Sequence, residues 1–179
     1  MRPLAAFSLE SRAGIRGVLF DIDDTLTTEG RLTADAYAAV EALKNVGLMV
    51  VPITGRPAGW CDHIARMWPV DGVVGENGAF YFYADHAEQK LKQRFVKAVS
   101  ERNVDRRHLT RVAERILREV SGTALASDQR YREADIAIDF CEDVPTLPRK
   151  EVQRILRIME SEGLTAKISS IHVNGWFGG

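Results

Sequence analysis

Hydrophobic and polar positions follow one pattern in the first part of this chain and another in the second. In the first part, short unbroken apolar runs alternate with helical stretches. Val18, Leu19 and Phe20 form a run of the kind that makes a strand buried on both faces. Residues 48–53 and Val73-Val74 repeat that character. Between the runs, Ala36, Val40 and Leu43 share one helical face, with Thr33 placed to cap it and Gly47 to end it. Trp60, Ile64 and Met67 share another face, with Pro57 at its opening. Strand, helix, strand, helix, strand predicts a βαβαβ half of a doubly wound sheet. Such sheets bind ligands beyond the carboxyl ends of their strands, where Asp21 and Thr54 fall.

Near residues 83–85 the pattern changes. Leu91, Phe95 and Val99 read as one face of a charged helix. Leu109, Val112, Ala113, Ile116, Leu117 and Val120 give a cleaner one, with Asp105 as its candidate cap. Residues 134–140 alternate at period two, as a half-buried strand does. Pro148 opens a further helix with Val152, Ile155, Leu156 and Met159 inward, ended by Gly163. Residues 164–169 and 171–173 predict a closing strand pair. Alternating strands backed by helices on one side make this half α+β.

Composition narrows the setting. The 179 residues carry 24 basic and 25 acidic side chains, so no global field draws the chain to nucleic acid or to a membrane surface. Cys61 and Cys141 belong to no CxxC pattern and are expected to be reduced. The first 16 residues hold no apolar core of signal-peptide length, and the longest apolar runs are too short to span a bilayer. The expectation is a soluble, cytoplasmic protein.

The candidate chemistry lies just past the first run. Asp21, Asp23 and Asp24 put three carboxylates within four positions. They repel one another and resist desolvation, two costs that a divalent cation relieves. Thr54, ending the second run, offers a hydroxyl beside Gly55, where the backbone admits a close approach.

Asp21-Ile22-Asp23-Asp24-Thr25-Leu26-Thr27 resembles the first motif, DxDGT, of the haloacid dehalogenase superfamily of phosphohydrolases. Pro52-Ile53-Thr54-Gly55-Arg56-Pro57 resembles the second motif as it occurs in the sugar-phosphatase-like subfamily IIB. Gly75-Glu76-Asn77-Gly78-Ala79 resembles the segment before the cap domain there. Asp24 stands where the family usually has glycine. The resemblance implies a Rossmannoid α/β core of which residues 1–84 form the amino-terminal half. It further implies an inserted α+β cap over 85–177 and a hinge at 178–179. It casts Asp21 as the nucleophile that becomes an aspartyl-phosphate and Asp23 as the general acid and base. Mg2+ would be held by Asp21 and by the Asp23 carbonyl. Thr54, Gly55, Thr25 and Asp24 would contact the phosphate, and Arg56, Asn77, Arg130 and Arg132 the rest of a small sugar-like phosphate, with His172 and Asn174 as further candidates.

The family's third-motif lysine and fourth-motif acids cannot be assigned before Gly179, and Lys150 and Lys167 lie in the cap-like half. The chain alone is therefore expected to bind magnesium weakly and to turn over slowly or not at all. The exposed edge of the first strand suggests self-association. A phosphosugar mutase and a non-catalytic binding module are the alternative functions.

Overall fold

The computed structural model describes residue 3 and residues 6–178. The chain divides into two compact units, residues 1–56 with 61–94, and residues 57–60 with 95–179.

A short helix, α1 (Leu9–Ala13), is capped by Ser8, whose hydroxyl accepts from the Ser11 N–H at 3.1 Å. In the first unit β1 (Gly17–Phe20) pairs in parallel with β2 (Met49–Pro52), in the register Gly17 with Met49 through Phe20 with Pro52. Between them runs α2 (Ala34–Asn45). The Thr33 hydroxyl accepts from the Ala36 N–H at 3.2 Å, the expected cap, and Gly47 turns the chain at φ +82°. After α3 (Ala58–Met67) come β3 (Val73–Gly75), β4 (Phe80–Asp85) and β5 (Lys90–Phe95), adjacent in that order. A parallel bridge from Ile53 to Val74 joins the two sets of strands.

The core of this unit is built from Val40, Val50, Cys61, Ile64, Ala65, Val73, Phe80 and Phe82, with the last two rings stacked at 4.3 Å. Three expectations change here. First, α3 turns Cys61, Ile64 and Ala65 inward and leaves Trp60 and Met67 exposed. The i, i+3, i+4 set of 61, 64 and 65 is the narrower apolar stripe, and 60 and 67 flank it. Second, β1 is not buried on both faces: it ends the sheet, and Leu19 is 63% exposed. Third, residues 90–95 form a strand instead of the first turns of a helix. Leu91 and Phe95 are four apart, a spacing that shares one face in either geometry, and the neighbouring β4 decides between them.

Asp71 secures the turn into β3. It pairs with Lys44, and its Oδ2 accepts the Val50 N–H at 2.8 Å. Partial burial pushes the carboxyl upward, but the Lys44 and Val50 bonds outweigh it and hold the group below the ordinary aspartate value. A carboxyl depressed in the folded state stabilises the fold above the unfolded pKa, near 4, and loses that contribution as pH falls through the folded value. Asp71→Asn is therefore expected to lower the thermal midpoint at pH 7. The gap to the parent should close as melts are run down to about pH 3.

In the second unit the four strands β6 (Ala124–Leu125), β7 (Asp135–Asp139), β8 (Thr165–Ile168) and β9 (His172–Trp176) form an antiparallel sheet in the order β6-β7-β9-β8. Helices α4 (Val99–Glu119) and α5 (Arg149–Ser161) pack on one face. Leu109, Val112, Ile116, Ile155 and Met159 meet Ile136, Ile138 and Val173 of the sheet there. Because strand side chains alternate, Asp135, Ala137, Asp139, His172 and Asn174 belong to the opposite face. At Gly175 a Cβ would come within 2.8 Å of the Met159 sulfur and 2.9 Å of the Leu164 side chain, so a larger residue there would require those flexible side chains to shift.

The helix α4 begins six residues before its expected cap. Glu101 accepts from the Ala98 N–H at 3.0 Å, and Asp105 sits inside the helix, paired with Lys97 at 2.7 Å. The short strand β6 adds to the elements that the sequence pattern predicts, and beyond it the Gln129 carboxamide takes over as a partner for β7. It donates to the Asp135 carbonyl at 3.0 Å and accepts from the Ala137 N–H at 2.8 Å. Gly178 has φ +132°, and Gly179, the other half of the expected hinge, lies outside the described residues. Both cysteines are free. No helix among the described residues is long and apolar enough to cross a membrane.

Candidate active site

The parallel pairing of β1 and β2 sets the site. Ile53 N–H donates to the Phe20 carbonyl at 2.8 Å, so the loops that follow the two strands leave the sheet at the same end. Asp21 opens the first of these loops in extended conformation, with its Oδ1 accepting the Ile22 N–H at 2.8 Å. The chain then winds through a tight turn, Ile22–Leu26. Thr27 closes it: its N–H donates to the Ile22 carbonyl at 2.9 Å, its hydroxyl donates to the same oxygen at 3.1 Å, and that hydroxyl accepts the Asp24 N–H at 3.3 Å. Thr27, the last residue of the first motif, thus holds its turn closed.

Asp24 occupies the left-handed region at φ +57°. Glycine enters that region without strain, and aspartate tolerates it better than most residues. The substitution for the family's glycine is thus accommodated by the backbone. With its amide engaged by Thr27, Asp24 is a poorer phosphate donor than the sequence suggested.

The second loop is bound to the third strand as well. Thr54 N–H donates to the Val74 carbonyl at 2.9 Å, Asn77 N–H to the Thr54 carbonyl at 3.3 Å, and Glu76 N–H to the Arg56 carbonyl at 3.2 Å. Thr54 is 3% exposed, and its hydroxyl accepts the Arg56 N–H at 3.0 Å, which leaves the hydroxyl proton to be donated elsewhere. A Cβ on Gly55 would stand 3.4 Å from Asn77 Oδ1, so the glycine brings the Asn77 side chain against the loop. Asn77 itself has φ +57°. Glu76 is fully buried at φ +44°, a conformation costing on the order of 1–3 kcal/mol and kept only where the surroundings dictate it. Burial, and secondly the Glu76 charge, push the adjacent Cys61 thiol up to about 12.

The two loops are tied together by charge. Arg56 grips Asp23 with three hydrogen bonds: Nη2 to Oδ1 at 2.6 Å, Nε to Oδ2 at 3.0 Å and Nε to Oδ1 at 3.2 Å. The guanidinium therefore orients the second acid of the motif instead of pointing at open solvent, and its fork geometry suits that task. Asp21 and Asp24 are exposed, and no basic side chain among the described residues pairs with either.

Two cap candidates belong to the second unit. Arg130 is exposed, its guanidinium 5.1 Å from the Tyr131 ring. Arg132 is otherwise engaged. Its side chain is 3% exposed and bonded to Asp128 at 3.0 and 3.1 Å and to both oxygens of Asp135 at 3.0 Å. That network consumes the donors a ligand would need, and it makes Arg132 a structural residue of the unit.

A profile of haloacid dehalogenase-like hydrolases matches residues 18–130, which takes in both loops. The chain belongs to the haloacid dehalogenase-like hydrolase family. Solved structures agree on the fold. A protein of Thermoplasma acidophilum superposes with a TM-score of 0.68 at 19% identity, over 90% of this chain and 64% of its own. A trehalose-6-phosphate phosphatase related protein gives 0.57 at 16%, over 90% and 68%. The IMP-nucleotidase of Plasmodium falciparum gives 0.62 at 11%, over 93% and 48%. This haloacid dehalogenase-like chain thus spans less than two thirds of the length of the first and third of these. Among curated proteins none matches its sequence.

Proposed function

We propose that this haloacid dehalogenase-like hydrolase is a magnesium-dependent phosphomonoesterase acting on a small sugar-like phosphate through Asp21. The observation that carries the reading is the pairing of two loops at one end of the parallel strands. Asp21 is exposed there, and Asp23 is held in one orientation by Arg56.

In this scheme the Asp21 carboxylate attacks phosphorus, and the ester oxygen leaves with a proton from Asp23. Asp23 then takes a proton from the water that hydrolyses the aspartyl-phosphate, returning Asp21 to its starting state. The Thr54 hydroxyl donates to a phosphoryl oxygen where negative charge grows. Arg56 keeps the Asp23 carboxylate aimed, so that little orientational freedom is lost at the moment of reaction. The oxygen donors of the turn, with Asp21 and Asp24 uncompensated by any base among the described residues, fit a hard cation. Magnesium held by the Asp21 carboxylate and the Asp23 carbonyl would neutralise charge on the phosphoryl group.

The sugar-like class draws support from the likeness to a trehalose-6-phosphate phosphatase related protein. Inorganic phosphate release from a panel of sugar phosphates and nucleotides, with and without Mg2+, tests the proposal. Release that needs Mg2+, however slow, and favours sugar phosphates is the expected result. Isomerised product without released phosphate would mean a mutase, and no reaction with any monoester would mean a binding module.

A further inference from the structure

The face of the second unit's sheet opposite α4 and α5 holds a second group of ligand-type side chains. Asp139 ends β7 and His172 begins β9, and the two are register partners across the sheet. Glu142 comes from the turn after β7. One ligand atom from each of the three lies within 4.8 Å of the other two. Asp139 and His172 are buried and Glu142 is exposed, so the cluster has rigid walls and one adjustable arm. His172 Nε2 stands 2.8 Å from Glu142 Oε2.

A purely structural role explains part of this. Asp139 Oδ1 accepts the N–H groups of Cys141 at 2.9 Å and Glu142 at 2.8 Å, and Oδ2 accepts that of Asp143 at 2.8 Å. These bonds brace the turn. A carboxylate offers about four lone-pair sites, so one remains on Oδ2. Bracing alone needs neither an imidazole on the neighbouring strand nor a second carboxylate reaching back to it.

A separate observation points the same way. Two residues along β9 from His172, on the same sheet face, the Asn174 Oδ1 atom is buried and has no hydrogen-bond partner among the described residues. Buried acceptors of this kind are few in native proteins, and water carried by a bound ion is one way to satisfy them. Cys141 stays out of the donor set, since its sulfur leans on the Ser170 carbonyl at 3.4 Å.

We propose that Asp139, Glu142 and His172 form a binding site for a borderline divalent cation, Zn2+ above all. An imidazole with two carboxylates suits zinc or cobalt, whereas Mg2+ and Ca2+ prefer oxygen-only sets. On binding, the His172–Glu142 hydrogen bond is exchanged for two ligand bonds. His172 coordinates through Nε2 as the neutral ring with its proton on Nδ1, and Glu142 turns its carboxylate to the ion. The metal would then fasten the turn after β7 to the start of β9. The site lies wholly in the second unit and does not depend on the chemistry proposed for Asp21.

The test uses the full chain carrying Asp21→Asn and Asp23→Asn, so that the other acidic loop adds no binding. Calorimetric titration with Zn2+ is expected to give one equivalent bound, and Co2+ a visible absorption band, with neither displaced by excess Mg2+. Adding Glu142→Gln, an exposed position that leaves the fold intact by circular dichroism, should weaken zinc binding by about 100-fold. His172→Gln should do the same. A folded chain that binds no zinc, or that binds it equally well in both variants, would overturn the site.

Discussion

Asp21→Asn is expected to bring the slow phosphate release proposed for this chain down to background, a loss of at least about 10-fold, or on the order of 1.4 kcal/mol of transition-state stabilisation. The amide keeps the size of the carboxylate and its Oδ1, so the bond from the Ile22 N–H at 2.8 Å survives and the turn it starts is undisturbed. On the proposed scheme, what disappears is the nucleophile. A carboxamide oxygen is too weak to displace an alkoxide from phosphorus, and the other acid of the proposed scheme, Asp23, is clamped by Arg56. The melting temperature should stay within a degree or two of the parent, which separates lost chemistry from lost fold. Steady-state phosphate release and a thermal melt on the same preparation check both halves. A variant that retained more than about a tenth of the parent rate would remove Asp21 from the reaction altogether.

The largest effect on stability is expected at Arg132. Its guanidinium is the counter-charge for Asp135, whose side chain is 0% exposed, and it bonds both carboxylate oxygens as well as Asp128. Burial works against charge on both partners. It pushes Asp135 up, with Arg132 opposing, while the two aspartates hold the Arg132 value up against its own desolvation. Arg132→Met keeps most of the volume but strands a buried carboxyl without its cation. Breaking such a pair from one side costs about 3–5 kcal/mol. Urea denaturation should show that loss as a lower midpoint with an unchanged slope. The double variant Arg132→Met with Asp135→Leu should recover part of it, because the fully buried carboxylate is then gone, while Asp128, 17% exposed, still lacks its cation. Recovery of that kind would show that the pair is needed for its balance more than for its net energy.

These two residues also show how far local sequence carries. The proposal for Asp21 rests on contiguous sequence: an apolar run, then acids at fixed spacing, then Thr-Leu-Thr. Arg132 carries no such local signature. Its neighbours Asp128 and Asp135 are near in sequence, yet only the turn at Gln129–Tyr131 and the start of β7 fold all three into one buried network. Arg56 is an intermediate case. Its place in the second loop was evident, but its partner, 33 positions earlier, follows only from the parallel pairing that brings the two loops to one end of the sheet.

By itself, the order of apolar runs determined the parallel β1–β2 pair with a helix between, the α+β character of the second unit and the end of the sheet where the acids fall. Those features are set by periodicity and caps, which act within a few residues. Tertiary packing decided the rest. It made β5 a strand where a four-residue spacing fitted two geometries, and it turned Cys61, Ile64 and Ala65 of α3 inward in place of Trp60 and Met67. It also closed Arg56 onto Asp23, locked Arg132 away from ligands and set His172 against Asp139 across two strands. Each of these depends on which element lies alongside, and an energy that arises between segments distant in sequence leaves no mark in either segment alone.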